Sequence, residues 1–117
     1  DPADIIVDPG LGFSKNAEHN WQLLAGLHAF TVFPQRLLVA ASRKRFIASL
    51  VSPDDPGQAG EHDKDEATAV ISAFAAQAGA WAVRVHDPAA SALACRVTAA
   101  IADHAAPGTS PWKPGRA

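Results

Sequence analysis

Methionine is absent from this 117-residue chain, and cysteine occurs once, at Cys95. Translation starts with Met, yet the chain opens Asp1-Pro2-Ala3-Asp4. The expectation is a processed chain or a piece of a longer one. A lone cysteine excludes an intramolecular disulfide, so the default setting is reducing and cytoplasmic. Within the helical segment it occupies, Cys95 reads as a small buried hydrophobe. No run of about 18 apolar residues is present, so no membrane span is expected. No basic-then-apolar leader precedes the first strand. Internal repeats are missing, which excludes collagen-like and coiled-coil architectures. There is neither an HxxxH pair nor a Cys/His cluster, so metal-ligand spacing is poor. The formal net charge is only −2, so no broad nucleic-acid surface is expected.

What remains is the composition of an ordinary globular fold, 48% hydrophobic and 19% charged. That supplies enough apolar surface for a core, and the length suits one domain or part of one. Ile5-Ile6-Val7 is a short β-branched run that stops at Asp8-Pro9-Gly10-Leu11-Gly12, the pattern of a fully buried strand and a Gly/Pro loop. Asn16 can cap a helix from Ala17 to Phe30, with Trp21, Leu24 and His28 on one stripe and Leu23, Leu27 and Phe30 overlapping it. After Pro34, Leu37 to Ala41 form a second buried strand, ending at Ser42-Arg43-Lys44. A short helix, Arg45 to Val51, follows. Residues 52–64 are rich in Pro, Gly and acid and read as a surface loop. Asp65 can cap a helix from Glu66 to Ala78, with Ala69, Val70, Ala73, Phe74 and Gln77 on its apolar side and Gly79 closing it. Trp81 to Val85 is a third strand. Asp87-Pro88 then starts a last helix on Leu93, Val97, Ala100 and Ile101, ending near Asp103. Residues 105–117 read as a flexible Pro/Gly-rich tail behind a domain of residues 1–104.

Apolar strands alternating with helical crossovers mean a parallel sheet in an α/β fold. All three strands lead directly into reactive residue types: Asp8, then Ser42-Arg43-Lys44, then Arg84 and His86. Parallel α/β folds build their sites at these strand ends. Asp8 is suited to accept paired N–H donors from a heterocycle. Gly10 and Gly12 let the backbone come close to a ligand. Phe13 can wall a flat aromatic substrate. Arg84 and His86, two apart in a strand, share a face, and an inward Arg calls for an anionic or π partner. Two cations at Arg43 and Lys44 lie where a helix N-terminus already attracts anions, and spacing alone leaves open which of the two turns inward. His19, His28, His62 and His104 carry no such pattern.

The segments Ile5 to Lys15 with Glu18-His19-Asn20, Leu37 to Phe46 (LLVAASRKRF) and Ala82 to Asp87 (AVRVHD) together resemble the DPGxGF-x-K, SRK and RVHD motifs of the dihydropteroate synthases. DPG is shared with other pterin-binding proteins, including methyltransferases. The resemblance runs from about residue 3 to 103. It implies a (β/α)8 TIM barrel of which this chain supplies the last three β-α units. It implies a transferase of folate biosynthesis that joins p-aminobenzoate to a 7,8-dihydropterin pyrophosphate, with Mg²⁺ assisting. By resemblance, Asp8 and Lys44 bind the pterin, Arg84 stacks on it and touches pyrophosphate, and His86 binds pyrophosphate. Phe13 and Ser42 line the p-aminobenzoate side, and Gly12 belongs to the substrate-binding loop. Lys44, Arg84 and His86 are the catalytic candidates. The Mg²⁺ ligands are expected outside this chain, with the missing N-terminal half of the barrel. The expected partners are the two substrates and that half, with room for a homodimer, and neither nucleic acid nor membrane. The isolated chain is expected to be inactive and, with exposed strand edges, unstable or self-associating. Ala40 and Ala48 stand where the family usually has Gly, and Ser14 where it has Gly or Ala. Ala40 leaves less room for the pterin, which keeps a non-catalytic pterin or phosphate binder as the alternative, beside a pterin-binding methyltransferase domain.

Overall fold

The computed structural model describes residues 4–12 and 16–106. Phe13, Ser14 and Lys15, and the tail from residue 107 onward, lie outside them. The element order is β1 (Ile6–Val7), α1 (Ala17–Ala25), β2 (Arg36–Val39), α2 (Arg45–Val51), α3 (Glu61–Ala78), β3 (Ala82–Val83) and α4 (Pro88–Asp103). The strands form one parallel sheet in the order β1-β2-β3. Val7 registers with Leu37, and Val39 with Val83. All three strand ends therefore emerge on one side, as the α/β pattern requires.

The core lies between the sheet and the first three helices. Leu11, Leu24, Leu27, Leu37, Val39, Phe46, Ile47, Ile71 and Ala75 are buried together. The Trp21 indole meets Phe46 edge-on, with centroids 4.9 Å apart. Local signals hold at several ends. Asn16 caps α1 by accepting the His19 N–H at 2.8 Å. Gly79 closes α3 in the left-handed region, φ 104°. Asp87 caps α4 with Pro88 in the first turn.

The structure departs from the sequence expectations at several points. The first helix stops at Ala25, and Leu27–Val32 continue as a 3-10 turn. Gly26 takes the C-cap of α1, a cheap place to leave the α-helical path. Helix α3 starts at Glu61, after a 3-10 turn at Pro56–Gln58, rather than at Glu66. Glu61 and Asp63 in its first turn suit the helix dipole. Asp65 is therefore inside the helix, not its cap. Strand β3 is shorter than Trp81 to Val85, although the Trp81 and Arg84 N–H groups still donate to Leu37 and Val39 carbonyls.

Two faces are not buried as expected. Ile5 and Ile6 are about half exposed, because β1 pairs on one side only. On α3 the buried positions are Asp65, Thr68, Ile71, Ser72 and Ala75, while Val70 and Phe74 face outward. Leu93, Val97 and Ile101 of α4 are likewise exposed and continue the same apolar groove. The helices instead meet through small polar groups: Ser72 and Ser91 share a buried hydrogen bond of 2.9 Å. Cys95 is half-buried beside that contact, its thiol 3.9 Å from the Ser72 carbonyl. No helix of the described residues is long and apolar enough to cross a membrane.

Ile47 is fully buried and its neighbour Leu50 is 60% exposed. Ile47→Ala is expected to cost about 2–5 kcal/mol of stability, and Leu50→Ala to stay within about 0.5 kcal/mol. Urea unfolding of the two variants checks this assignment of the core face.

Candidate functional site

Beyond β2 and β3 lies an open hollow of about 460 Å³, lined by Ala40, Ser42, Arg43, Lys44, Arg84, Val85 and His86. It gathers the second and third strand-end motifs at one place. A larger hollow of about 770 Å³ lies at the opposite ends of the strands. Its one charged lining group, Arg36, is spent on the Trp81 ring, 5.1 Å from the centroid. The chemistry therefore concentrates in the smaller hollow.

Ser42 is buried and joins the two motifs. The His86 backbone N–H donates to its Oγ at 3.0 Å, and the same Oγ lies 2.8 Å from His86 Nδ1. This fixes the imidazole at its Nδ1 side. Arg84 is exposed at the rim, not enclosed as an inward-facing strand residue would be. Among the described residues no ion pair joins it to Asp8.

The two cations of the SRK segment part company. The backbone of Arg43 is left-handed, φ 56°, and its side chain turns away to α3. There Nε and Nη2 donate to the two carboxylate oxygens of Asp65 at 3.0 and 2.9 Å. Glu61 stands 3.6 Å from Nη1. The Arg43 hydrogen bonds hold the Asp65 carboxyl below its ordinary range. Burial opposes this, and the charges of Arg43, His86 and His62 add to the lowering. Reciprocally, Asp65 raises the Arg43 pKa, chiefly by the same hydrogen bonds. Sequence reasoning took Asp65 for a helix cap and so missed this pair. Nothing local marked it, since its face of the helix carries Thr68 and Ser72 as well, and only the tertiary turn of Arg43 gives it a partner.

Lys44 runs the other way, toward the β1 loop. A Cβ on Gly12 would stand 2.8 Å from Lys44 Cδ and 3.3 Å from Cγ, and Gly12 has φ 83°. Glycine is thus favoured by the left-handed backbone, and any side chain there would also have to displace the lysine stem. The Gly12 N–H donates to Asn20 Oδ1 at 2.8 Å, and Asn20 Nδ2 donates to the Asn16 carbonyl at 3.0 Å. Asn20 is nearly fully buried. It is a second residue whose role the sequence reading did not single out, though it stood in the quoted motif. Asp8 does not line the hollow. Its Oδ1 accepts the Gly10 N–H at 2.8 Å and braces the loop. Phe13 lies outside the described residues.

The lining of the hollow contains three cations and no carboxylate, so it does not by itself fit a Mg²⁺ site. Elsewhere among the described residues, His62, Asp63 and Glu66 bring ligand atoms within 4.8 Å of one another. All three are exposed, and His62 and Glu66 already pair at 3.1 Å across one helical turn, an ordinary surface arrangement.

A hydroxyl–imidazole pair with cations beside a glycine-rich strand-end loop suits a ligand with an anionic group and a flat polar ring. Comparison with known proteins decides the family. A family model described as pterin binding enzyme matches residues 1–86. The chain belongs to that family. It is 46% identical over 100 residues to the dihydropteroate synthase of Mycobacterium leprae, covering 86% of this chain and 35% of that protein. It is 38% identical over 96 residues to the Escherichia coli dihydropteroate synthase, covering 82% and 32%. Among solved structures, a Yersinia pestis dihydropteroate synthase with a pterin–sulfa conjugate superposes with a TM-score of 0.78 at 32% identity, over 88% of this chain and 38% of that one. The Xanthomonas albilineans dihydropteroate synthase in complex with 7,8-dihydropteroate gives 0.73 at 35% identity, over 83% and 36%. The chain spans about a third of the length of the curated relatives it matches.

Two variants test the geometry of this pterin-binding family member. Gly12→Ala is expected to cost about 1–2 kcal/mol from the left-handed backbone alone, with a further steric cost from Lys44. The G12A/K44A double variant should relieve only the steric part, so urea midpoints of the two single variants and the double separate them. The folded-state pKa of Asp65 lies below its unfolded value, so its contribution is complete above about pH 4. It is lost as the pH falls through the depressed folded value. Stability measured against pH should therefore decline on the acid side, and Asp65→Asn should flatten that decline.

Proposed function

We propose that this chain carries the pyrophosphate-facing part of a dihydropteroate synthase active site, as the last three β-α units of a (β/α)8 barrel. The observation that carries this reading is the meeting of SRK and RVHD at one hollow, with Ser42 bonded to His86 and both Lys44 and Arg84 on the lining. The substrates are p-aminobenzoate and 7,8-dihydropterin pyrophosphate. The amine nitrogen bonds to the pterin methylene carbon as the carbon–oxygen bond to pyrophosphate breaks. The electron pair leaves with pyrophosphate, and the new N–C bond releases one amine proton to water. Lys44, Arg84 and His86 stabilise the departing anion, and the loop of Asp8 and Gly12 holds the pterin. Phe13 and Ser42 border the p-aminobenzoate. No protein nucleophile is required. Mg²⁺ assistance belongs to residues outside this chain, since the lining offers it no carboxylate.

The partner is the rest of the barrel, which would cover the half-exposed β1 edge. The apolar band of Val70, Phe74, Leu93, Val97 and Ile101 is the surface we assign to a homodimer contact, since bands of this kind mark interfaces. The unpaired thiol of Cys95 fits a cytoplasmic setting. Ala40 is buried in the lining of the hollow, and this favours one second reading, a non-catalytic pterin or phosphate binder.

The test is reconstitution. The 117-residue chain alone should give no dihydropteroate, and the chain joined to a barrel N-terminal half should. In that assembly Arg84→Ala should cut turnover and weaken pyrophosphate binding with little change in the melting temperature. Pterin binding without product would favour the second reading. Turnover by the isolated chain at rates typical of whole enzymes would sink the requirement for a second half.

A further inference from the structure

We propose that Asp65 is a positioning residue for the strand-end anion site, acting through Arg43. The inference rests on the reading of this hollow as a pyrophosphate site. It adds a residue on a different helix that touches no substrate.

The Lys44 N–H donates to the Ala41 carbonyl at 3.1 Å, which closes a tight turn over Ala41 to Lys44. Arg43 is the third residue of that turn, and its φ of 56° is the one positive value among the described non-glycine residues. Turns that need a positive φ at this position normally place Gly or Asn there. An arginine at such a position is held by its surroundings or not at all. Here it is held by both oxygens of Asp65, 22 residues further along. The Asp65 side chain is 11% exposed and that of Arg43 28%. A bidentate guanidinium–carboxylate fork fixes direction as well as distance.

The turn sets two other side chains. Ser42, just before Arg43, reaches His86 on the β3 side. Lys44, just after it, lies along Gly12 on the β1 side. Pulling Arg43 outward toward α3 is what sends its neighbours to opposite walls of the hollow. It also keeps a third cation from closing on the others, because its charge is matched by Asp65 and Glu61. If the position served the turn alone, glycine would serve it better. The pair is therefore a device for aiming Ser42 and Lys44.

The experiment uses the chain joined to a barrel N-terminal half, with inorganic pyrophosphate as the probe. Affinity is read by calorimetry, and the His86 ring nitrogens by ¹⁵N NMR. The variants are Arg43→Gly, which suits the turn and removes the fork, Arg43→Lys, which keeps the charge without the fork, and Asp65→Asn, which keeps the shape. All three are expected to weaken pyrophosphate binding by roughly tenfold or more and to shift the His86 Nδ1 signal as Ser42 leaves it. A contribution to stability alone would move neither reading in the folded protein. Should Asp65→Asn bind as tightly as the unaltered chain, or more tightly, while Arg43→Gly loses binding, Arg43 is a direct anion ligand and the proposal is overturned. Unchanged affinity and an unchanged His86 spectrum in the variants overturn it too. If Arg43→Gly does not fold, the near-isosteric Asp65→Asn decides. If the unaltered chain binds no pyrophosphate, the functional reading of the hollow fails for this chain, and the His86 signal still decides whether Asp65 positions it.

Discussion

The fork between Arg43 and Asp65 joins the end of β2 to α3, and much of the site depends on what it constrains. A strand leaving a parallel sheet must turn sharply to enter its helix. Here that turn passes through a backbone region that a long side chain enters reluctantly. The carboxylate that holds it there comes from the second turn of an 18-residue helix, which is itself seated through Ile71 and Ala75 in the core. The direction of Ser42 and Lys44 is thus inherited from core packing through Arg43. A site on a loop gains the stiffness of the scaffold by this route.

Burial follows a different rule in the two halves of the chain. Up to α2, the core is filled by large apolar side chains such as Leu24, Leu27, Leu37, Phe46 and Ile47, and the buried polar ones, Asn20 and Ser42, each have hydrogen-bond partners. In α3 and α4 the contact is built from serines and alanines, and the larger apolar groups point out. Small residues let two helices approach closely. The larger ones then line the exposed apolar groove along the two helices.

Element order was legible in the residues because its signals are local. Ile5 to Val7, Leu37 to Ala41 and Trp81 to Val85 are apolar runs ending in Gly, Pro or charge, and each yielded a strand, although shorter than read. Asp87-Pro88 started a helix and Gly79 ended one where their backbone chemistry says they should. The motifs at the strand ends were legible for the same reason, and the hollow brings together Ser42, Lys44, Arg84 and His86 from the second and third strand ends, while Asp8 of the first does not line it. What could not be read was tertiary. Asp65 satisfies the local rule for a cap equally well, and only a partner 22 residues away makes it something else. The outward turn of Arg43 and the inward run of Lys44 depend on one backbone angle that neither residue type prefers. Periodicity named Val70, Phe74, Leu93 and Val97 as one apolar face each, but a stripe does not say what covers it.

The lysine stem lying on Gly12 has an entropic consequence. A solvated lysine gives up as much as about 2 kcal/mol of rotamer freedom when an anion immobilises it. In this chain the stem already rests on bare backbone, and the loop beneath it is pinned by the buried amide of Asn20. Part of the ordering is complete before any ligand arrives. A missing side chain at position 12 thereby increases what a charge at position 44 can contribute to binding.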